Sequence, residues 1–161
     1  RFDSPANLGP VPVMEEKYGY YLEDLEPGMA ATYAKTVTEA DVVLFAGISG
    51  DSNPVHMDNE FAKGTMFKGR IAHGMLTASF ISTVLGTRLP GPGCIYVSQN
   101  LKFRAPVRIG DTVRTRVVVT SVDMERGKVA LETTCSVGET VVITGDALLV
   151  VPRRPAVQAA E

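Results

Sequence analysis

Asp51 and His56 stand five residues apart in the stretch FAGISGDSNPVHMDNEFA, residues 45–62, with Asn53 and Pro54 between them and Gly50 before them. A carboxylate and an imidazole held together make an acid/base pair, because each can take up and return a proton. Partial burial would lift the carboxylate toward a working range. Taken singly, each residue has a plainer reading. An Asp in SGDSNP is the kind of residue that bonds its own turn. Asn53 suits side-chain-to-backbone bonds that fix a loop, and Pro54 stiffens it. The pairing of Asp51 with His56 is what points to chemistry.

A second place of interest is His73-Gly74-Met75. It opens a run with no charged residue from Gly74 to Thr87, in which Met75, Leu76, Phe80, Ile81, Val84 and Leu85 cluster among small residues. Such a run predicts a helix buried all round. The first N–H groups of a helix have no partner inside it, and that end carries a partial positive charge. Glycine there lets a ligand come up to the backbone. A carbonyl oxygen at this point would be polarised and an enolate oxygen stabilised; losing such a donor typically costs about 2.7–4 kcal/mol of transition-state energy. The chain from Asp51 to Gly74 is short, so the pair and the helix end can share one cleft. That combination suits proton transfer next to a carbonyl. His73 itself reads more simply as a cap or brace for the helix start.

The elements that must position these groups can be read on either side. Residues 30–37, AATYAKTV, predict a strand. Thr38 and Asp41 have the spacing of a capping box, which predicts a short helix to about residue 47, and Gly47 and Gly50 give freedom for a sharp exit. DNEFAKGT, 58–65, predicts one or two helical turns capped by Asp58. Leu89-Pro90-Gly91-Pro92-Gly93 stops the long helix. Four strands follow, at about 94–104, 111–124, 127–138 and 140–151, with MERG and GET as turns. In the third of these, Val129, Leu131, Thr133, Cys135 and Val137 share one face, which predicts an antiparallel sheet buried on one side. The fold class is therefore α+β, a long curved antiparallel sheet wrapped around one central buried helix.

Bulk properties agree with a single enzyme-sized domain. The chain has 161 residues, 45% hydrophobic and 21% charged, with a formal net charge of -2. That charge gives no support to a nucleic-acid partner. No apolar run approaches the ~20 residues needed to span a bilayer, and no secretory pattern opens the chain, so a cytoplasmic setting is expected. The two cysteines, Cys94 and Cys135, fall in strand-like segments and read as free buried thiols. No Cys/His cluster of metal-site spacing is evident. Residues 1–19 read as an extended arm, 20–152 as the domain and 153–161 as a tail.

The stretch from Phe45 to Ala62 resembles the signature of the MaoC-like dehydratases, the hydratase 2 or (R)-specific enoyl-CoA hydratase family. That signature runs from an aromatic residue through Ser-Gly-Asp-x-Asn-Pro-aliphatic-His to a small residue. Here it is Phe45, Ser49-Gly50-Asp51-Ser52-Asn53-Pro54-Val55-His56 and Ala62. AHGML (72–76), LPGPGCIYVSQNLKFRAPVRIGD (89–111) and VVITGDALL (141–149) are also similar to the family. The resemblance covers roughly residues 20–152. It implies a hot-dog fold, homodimers with further assembly left open, and acyl-CoA thioester substrates. It also implies reversible addition of water to a trans-2-enoyl-CoA, giving the (R)-3-hydroxyacyl-CoA. By the same resemblance Asp51 and His56 hold and activate the water and the Gly74 N–H stabilises the oxyanion. Asp51 is expected as base, with His56 orienting water and assisting the proton return. No metal or redox cofactor is called for, because CoA supplies the handle.

Binding residues are expected around this centre. Gly74, Ala78, Ser82 and Leu85 share one helix face, so Ser82 and Leu85 could limit acyl-chain length. The competing reading is ordinary helix-on-sheet packing. Asn53 is a substrate-side candidate as well as a loop-fixing one. Arg104, with Arg108, Lys102 and Lys68, could meet the CoA phosphates, though most such rim charges are merely solvated. Two other functions share this frame: a hot-dog acyl-CoA thioesterase, and a non-catalytic acyl-CoA binding module. Within the hydratases, a branched or dicarboxylic enoyl thioester, or an acyl-carrier protein, could replace the simple CoA substrate. The intact Asp-x-Asn-Pro-x-His spacing favours hydration.

Overall fold

The computed structural model describes residues 19–155. The predicted arm and tail thus lie outside the described residues, apart from Gly19 and residues 153–155. Five strands form one antiparallel sheet: β1 (Ala30–Thr36), β2 (Ile95–Phe103), β3 (Thr112–Asp123), β4 (Lys128–Val137) and β5 (Thr140–Val150). Their order across the sheet is β1-β3-β4-β5-β2. Four α-helices precede β2 among the described residues: α1 (Glu39–Ser49), α2 (Pro54–Met57), α3 (Asn59–Lys63) and α4 (Gly74–Thr87). Helix α4 lies on the inner face of the sheet, against β3, β1 and β4. This is the hot-dog arrangement, in which the sheet is the wrap and α4 the filling.

Side-chain alternation accounts for the layering. β3 turns Val113, Thr115, Val117 and Val119 inward, and β4 turns Val129, Leu131, Thr133 and Cys135 inward. They meet Phe80, Ile81, Val84 and Leu85 of α4 in one core. Each such apolar side chain stabilises the fold by about 1.5–3 kcal/mol on full burial. The two inward threonines are satisfied: Thr115 Oγ1 lies 3.3 Å from Cys135 Sγ, and Gln99 Nε2 donates to Thr133 Oγ1 at 3.0 Å. Register shifts at Tyr96/Ser98, Val119/Ser121 and Cys135/Ser136 add the local twist that curls the sheet around the helix.

One expectation changes. Helix α4 is not buried all round: Met75, Ser79, Ser82 and Gly86, at steps of four, three and four, form an exposed stripe. The run carries no charge there because the exposed positions are small or soft residues rather than ionic ones. Strand β2, at the sheet edge, is largely exposed on both faces, with Ile95 63%, Val97 48% and Phe103 53% accessible. The described cysteines are free, Cys135 buried and Cys94 half-buried.

Candidate active site

Local chemistry sets the path of the loop. Thr38 caps α1 in a reciprocal box, Thr38 Oγ1 accepting from the Asp41 N–H at 3.2 Å and Asp41 Oδ2 accepting from the Thr38 N–H at 2.8 Å. The helix runs past the expected residue 47 to Ser49 and ends at Gly50, whose φ of 77° is a left-handed conformation that glycine adopts without strain. Two side-chain turns follow. Asp51 Oδ1 accepts from the Asn53 N–H at 3.2 Å, and Asn53 Oδ1 accepts from the Val55 N–H at 3.1 Å. The second bond caps α2, with Pro54 at its first position. This short helix carries His56.

The two members of the pair differ in environment. Asp51 is exposed, so the burial expected to tune it is absent in the single chain. His56 is the buried partner, 8% accessible. Its Nδ1 lies 2.8 Å from the carbonyl oxygen of Ile71. A carbonyl only accepts, so Nδ1 carries the hydrogen, and neutral His56 is left with an accepting Nε2. Burial pushes the imidazole below the ordinary histidine range, with the bond to Ile71 opposing it, His73 adding a smaller push downward and the nearby Asp51 carboxylate a smaller one upward. The net direction of this shift favours the neutral imidazole at pH 7.

The segment 70–74 braces this loop. Arg70 Nε donates to the His56 carbonyl at 2.6 Å while its guanidinium grips Glu39 of α1 at 2.8 and 3.2 Å. The Ile71 N–H donates to the Val55 carbonyl at 3.3 Å, and the Ala72 N–H to the Val107 carbonyl at 2.7 Å. His73 Nε2 donates to the Asp51 carbonyl at 2.9 Å. The chain then enters α4 at Gly74, whose N–H has no acceptor within the helix. A Cβ added at Gly74 would sit 2.8 Å from Cε1 of Phe103, so the close approach of that ring requires glycine.

A cavity of about 330 Å³ opens beside these groups. Its wall includes His56, Gly74, Thr77, Phe67, Phe103, Arg104 and Ile143. Asp51 is outside this lining but close to it. A carboxylate oxygen of Asp51 and one ring nitrogen each of His56 and His73 lie within 4.8 Å of one another. The spacing of histidines along the chain had shown no such trio. Two of its four ring nitrogens are committed to the carbonyls of Ile71 and Asp51.

The remaining predicted residues divide. Arg104 lines the cavity, with Nε donating to Thr144 Oγ1 at 3.3 Å. Ser82 and Leu85 do not: Ser82 lies on the exposed stripe, and Leu85 is fully buried in the core with Ala78 beside it in the same cluster. Arg108 gives Nη2 to the Phe67 carbonyl at 2.6 Å. Lys68 sits at a positive φ of 58°, and Lys102 on β2 faces Thr144 of β5. Asn53 uses Oδ1 as a helix cap. Thr77, Phe67, Phe103 and the brace Arg70 were not anticipated. Thr77 lies only three residues beyond Gly74, a helical step that could have singled it out; the others carry no local signal.

Comparison with known proteins places this geometry. Residues 24–142 match the MaoC like domain. The chain is 57% identical over 135 residues to the (R)-specific enoyl-CoA hydratase of Rhodospirillum rubrum, covering 84% of this chain and 94% of that protein. It is 54% identical over 134 residues to the 3-hydroxybutyryl-CoA dehydratase of Methylorubrum extorquens, covering 83% and 85%. Among solved structures, the (R)-hydratase from A. caviae involved in PHA biosynthesis superposes with a TM-score of 0.78 at 40% identity, over 81% of this chain and 99% of that one. An R-hydratase from Pseudomonas aeruginosa gives 0.80 at 39% identity, over 89% and 93%. The Asp-x-Asn-Pro-x-His loop thus sits in a chain that matches these proteins in both sequence and architecture, and the chain belongs to the MaoC-like dehydratase family.

Proposed function

We propose that this protein is an (R)-specific enoyl-CoA hydratase, a hydro-lyase that adds water reversibly to trans-2-enoyl-CoA thioesters. The observation that carries the reading is the meeting of Asp51 and His56 beside a cavity whose wall contains the first residue of α4. The names of the relatives at 57% and 54% identity support it.

The chemistry follows from the donors and acceptors present. Both the Asp51 carboxylate and the neutral His56 Nε2 are acceptors. A water between them directs a hydrogen to each and presents a lone pair to Cβ. Asp51, the carboxylate, takes the proton as that lone pair attacks. Negative charge moves through Cα to the thioester oxygen, where the Gly74 N–H and the positive end of α4 stabilise it. A proton then returns to Cα from the acid/base pair, with His56 assisting, and the net change is addition of water. Arg104 at the cavity rim suits a CoA phosphate. The cavity is at the small end of the range for ligand pockets, about 300–1,000 Å³, which suits a short acyl unit.

The functional unit is a homodimer. β2 offers an unpaired edge carrying half-exposed Ile95, Tyr96 and Val97, and such an edge is a template for another strand. Two free thiols accord with a cytoplasmic, reducing setting. Among the described residues no helix is long and apolar enough to cross a membrane.

The test is hydration of crotonyl-CoA, followed by loss of enoyl-thioester absorbance, with product trapped by an (R)-specific or an (S)-specific dehydrogenase. Loss of absorbance with (R) product is expected. Release of free thiol instead would assign a thioesterase. No reaction with crotonyl-CoA or longer and branched enoyl thioesters would overturn the reading.

A further inference from the structure

We infer that His73 is a positioning residue for the hydration reaction, holding Asp51 in place through the Asp51 backbone. The inference rests on the hydratase reading but adds a residue to it. His73 is 1% accessible and sits directly before Gly74. It occupies the N-cap position of α4, yet its side chain makes no cap bond, so helix capping does not account for it. Its ring contacts two others. The His56 ring is 4.0 Å away centroid to centroid and tilted by 34°; the Phe45 ring is 5.0 Å away at 52°.

The choice of an imidazole at this spot needs a reason. A phenyl or leucine side chain would fill this space against the two rings without a polar atom to satisfy. Instead Nδ1 is buried with no partner among the described residues, a burden that native proteins rarely carry without cause. What the imidazole gains is the bond from Nε2 to the Asp51 carbonyl. Because a carbonyl only accepts, Nε2 carries the hydrogen. His73 and His56 therefore hold opposite tautomers, one aimed at residue 51 and the other at residue 71. The ring ties three groups to one rigid body: the loop of the proposed base, the face of His56 and the start of α4. Misplacement of a reacting group by about 1 Å can cost roughly 10²-fold in rate.

Two substitutions separate the bond from the volume. His73→Gln can place an amide N–H where Nε2 was; His73→Leu fills the space without a donor. On crotonyl-CoA, His73→Leu is expected to lower kcat by about 10-fold or more, within the ~10²-fold scale of such misplacement. KM should stay within about 2-fold and melting temperature within about 2 °C, the low end of what a measurable loss of stability would move in a chain of this size, while His73→Gln should recover most of the loss. Equal kcat for wild type and His73→Leu, or equal impairment by Leu and Gln, would overturn the inference while leaving the hydratase reading intact. A readout independent of turnover comes from the ring nitrogens, since the chain has only 2 histidines. Long-range proton–nitrogen NMR of the wild type should show one Nδ1–H and one Nε2–H imidazole. The Nε2–H signal should vanish in His73→Leu, leaving His56 as Nδ1–H. Two imidazoles of the same tautomer would refute the geometry even if the protein proved inactive on crotonyl-CoA.

Discussion

Replacing Asp51 with asparagine removes one negative charge and leaves the local scaffold in place. The Asp51 side chain is exposed, so the change uncovers no core surface. The bond that its Oδ1 accepts from the Asn53 N–H can be kept by the asparagine oxygen, and the bond from His73 reaches the backbone carbonyl, which is untouched. Stability should therefore stay within about ±0.5 kcal/mol of the wild type, as for most exposed substitutions. Catalysis should not. A positioned general base contributes about 10²–10⁴-fold. At about 1.36 kcal/mol per decade that is roughly 2.7–5.4 kcal/mol of barrier. The informative comparison is with Asp51→Ala, which removes the charge and the turn bond together. A bond of that kind contributes about 0.5–1.5 kcal/mol net. Crotonyl-CoA hydration and a thermal melt on all three proteins decide the matter. Asn and Ala should be equally slow, with Ala alone less stable. If Asp51→Asn retained wild-type kcat, the base would have to be His56, and the division of roles argued above would be wrong.

Further outcomes follow from the same geometry. Acid should silence the enzyme as His56 gains a proton and Nε2 stops accepting; since burial lowers this imidazole, the midpoint of the acid limb of kcat/KM should lie below the ordinary value of 6.5. The sign for stability is the same. Between the lowered folded value and 6.5 the unfolded chain holds more protons, so stability is full above 6.5 and falls as pH drops through that window, a slope that His56→Asn should flatten in pH-dependent melts. Gly74→Ala forces a methyl to 2.8 Å from the Phe103 ring, which must swing, and Phe103 lines the cavity; kcat/KM should drop about 10-fold or more, on the ~10²-fold scale of a 1 Å displacement, and Phe103→Ala in the same chain should restore part of it. Ile95→Lys puts a charge on the open edge of β2 and should shift the protein toward monomer in sedimentation, with the melt of the single chain little changed.

Much of this protein can be read along the chain because it depends on neighbours a few residues apart. Thr38 and Asp41 announce a helix start because each bonds the other's backbone across three residues. The alternation in 128–137 announces a one-sided strand because successive side chains must point to opposite faces. The Asp51-to-His56 spacing is short enough for two side-chain turns to present both residues together. What the spacing could not supply is the environment of each group. The tautomer of His56 is set by the carbonyl of Ile71, and the loop of Asp51 is held by His73, 22 residues away. Arg70 braces the site from a stretch with no signal of its own. Helical periodicity put Ser82 and Leu85 on the face of Gly74, but only packing against the sheet decides which residues of that face border a cavity, and Thr77 does while Leu85 is locked in the core. Sequence pattern records short-range bonding preferences, whereas burial, protonation and the walls of a pocket are settled by groups that the fold brings together from distant positions.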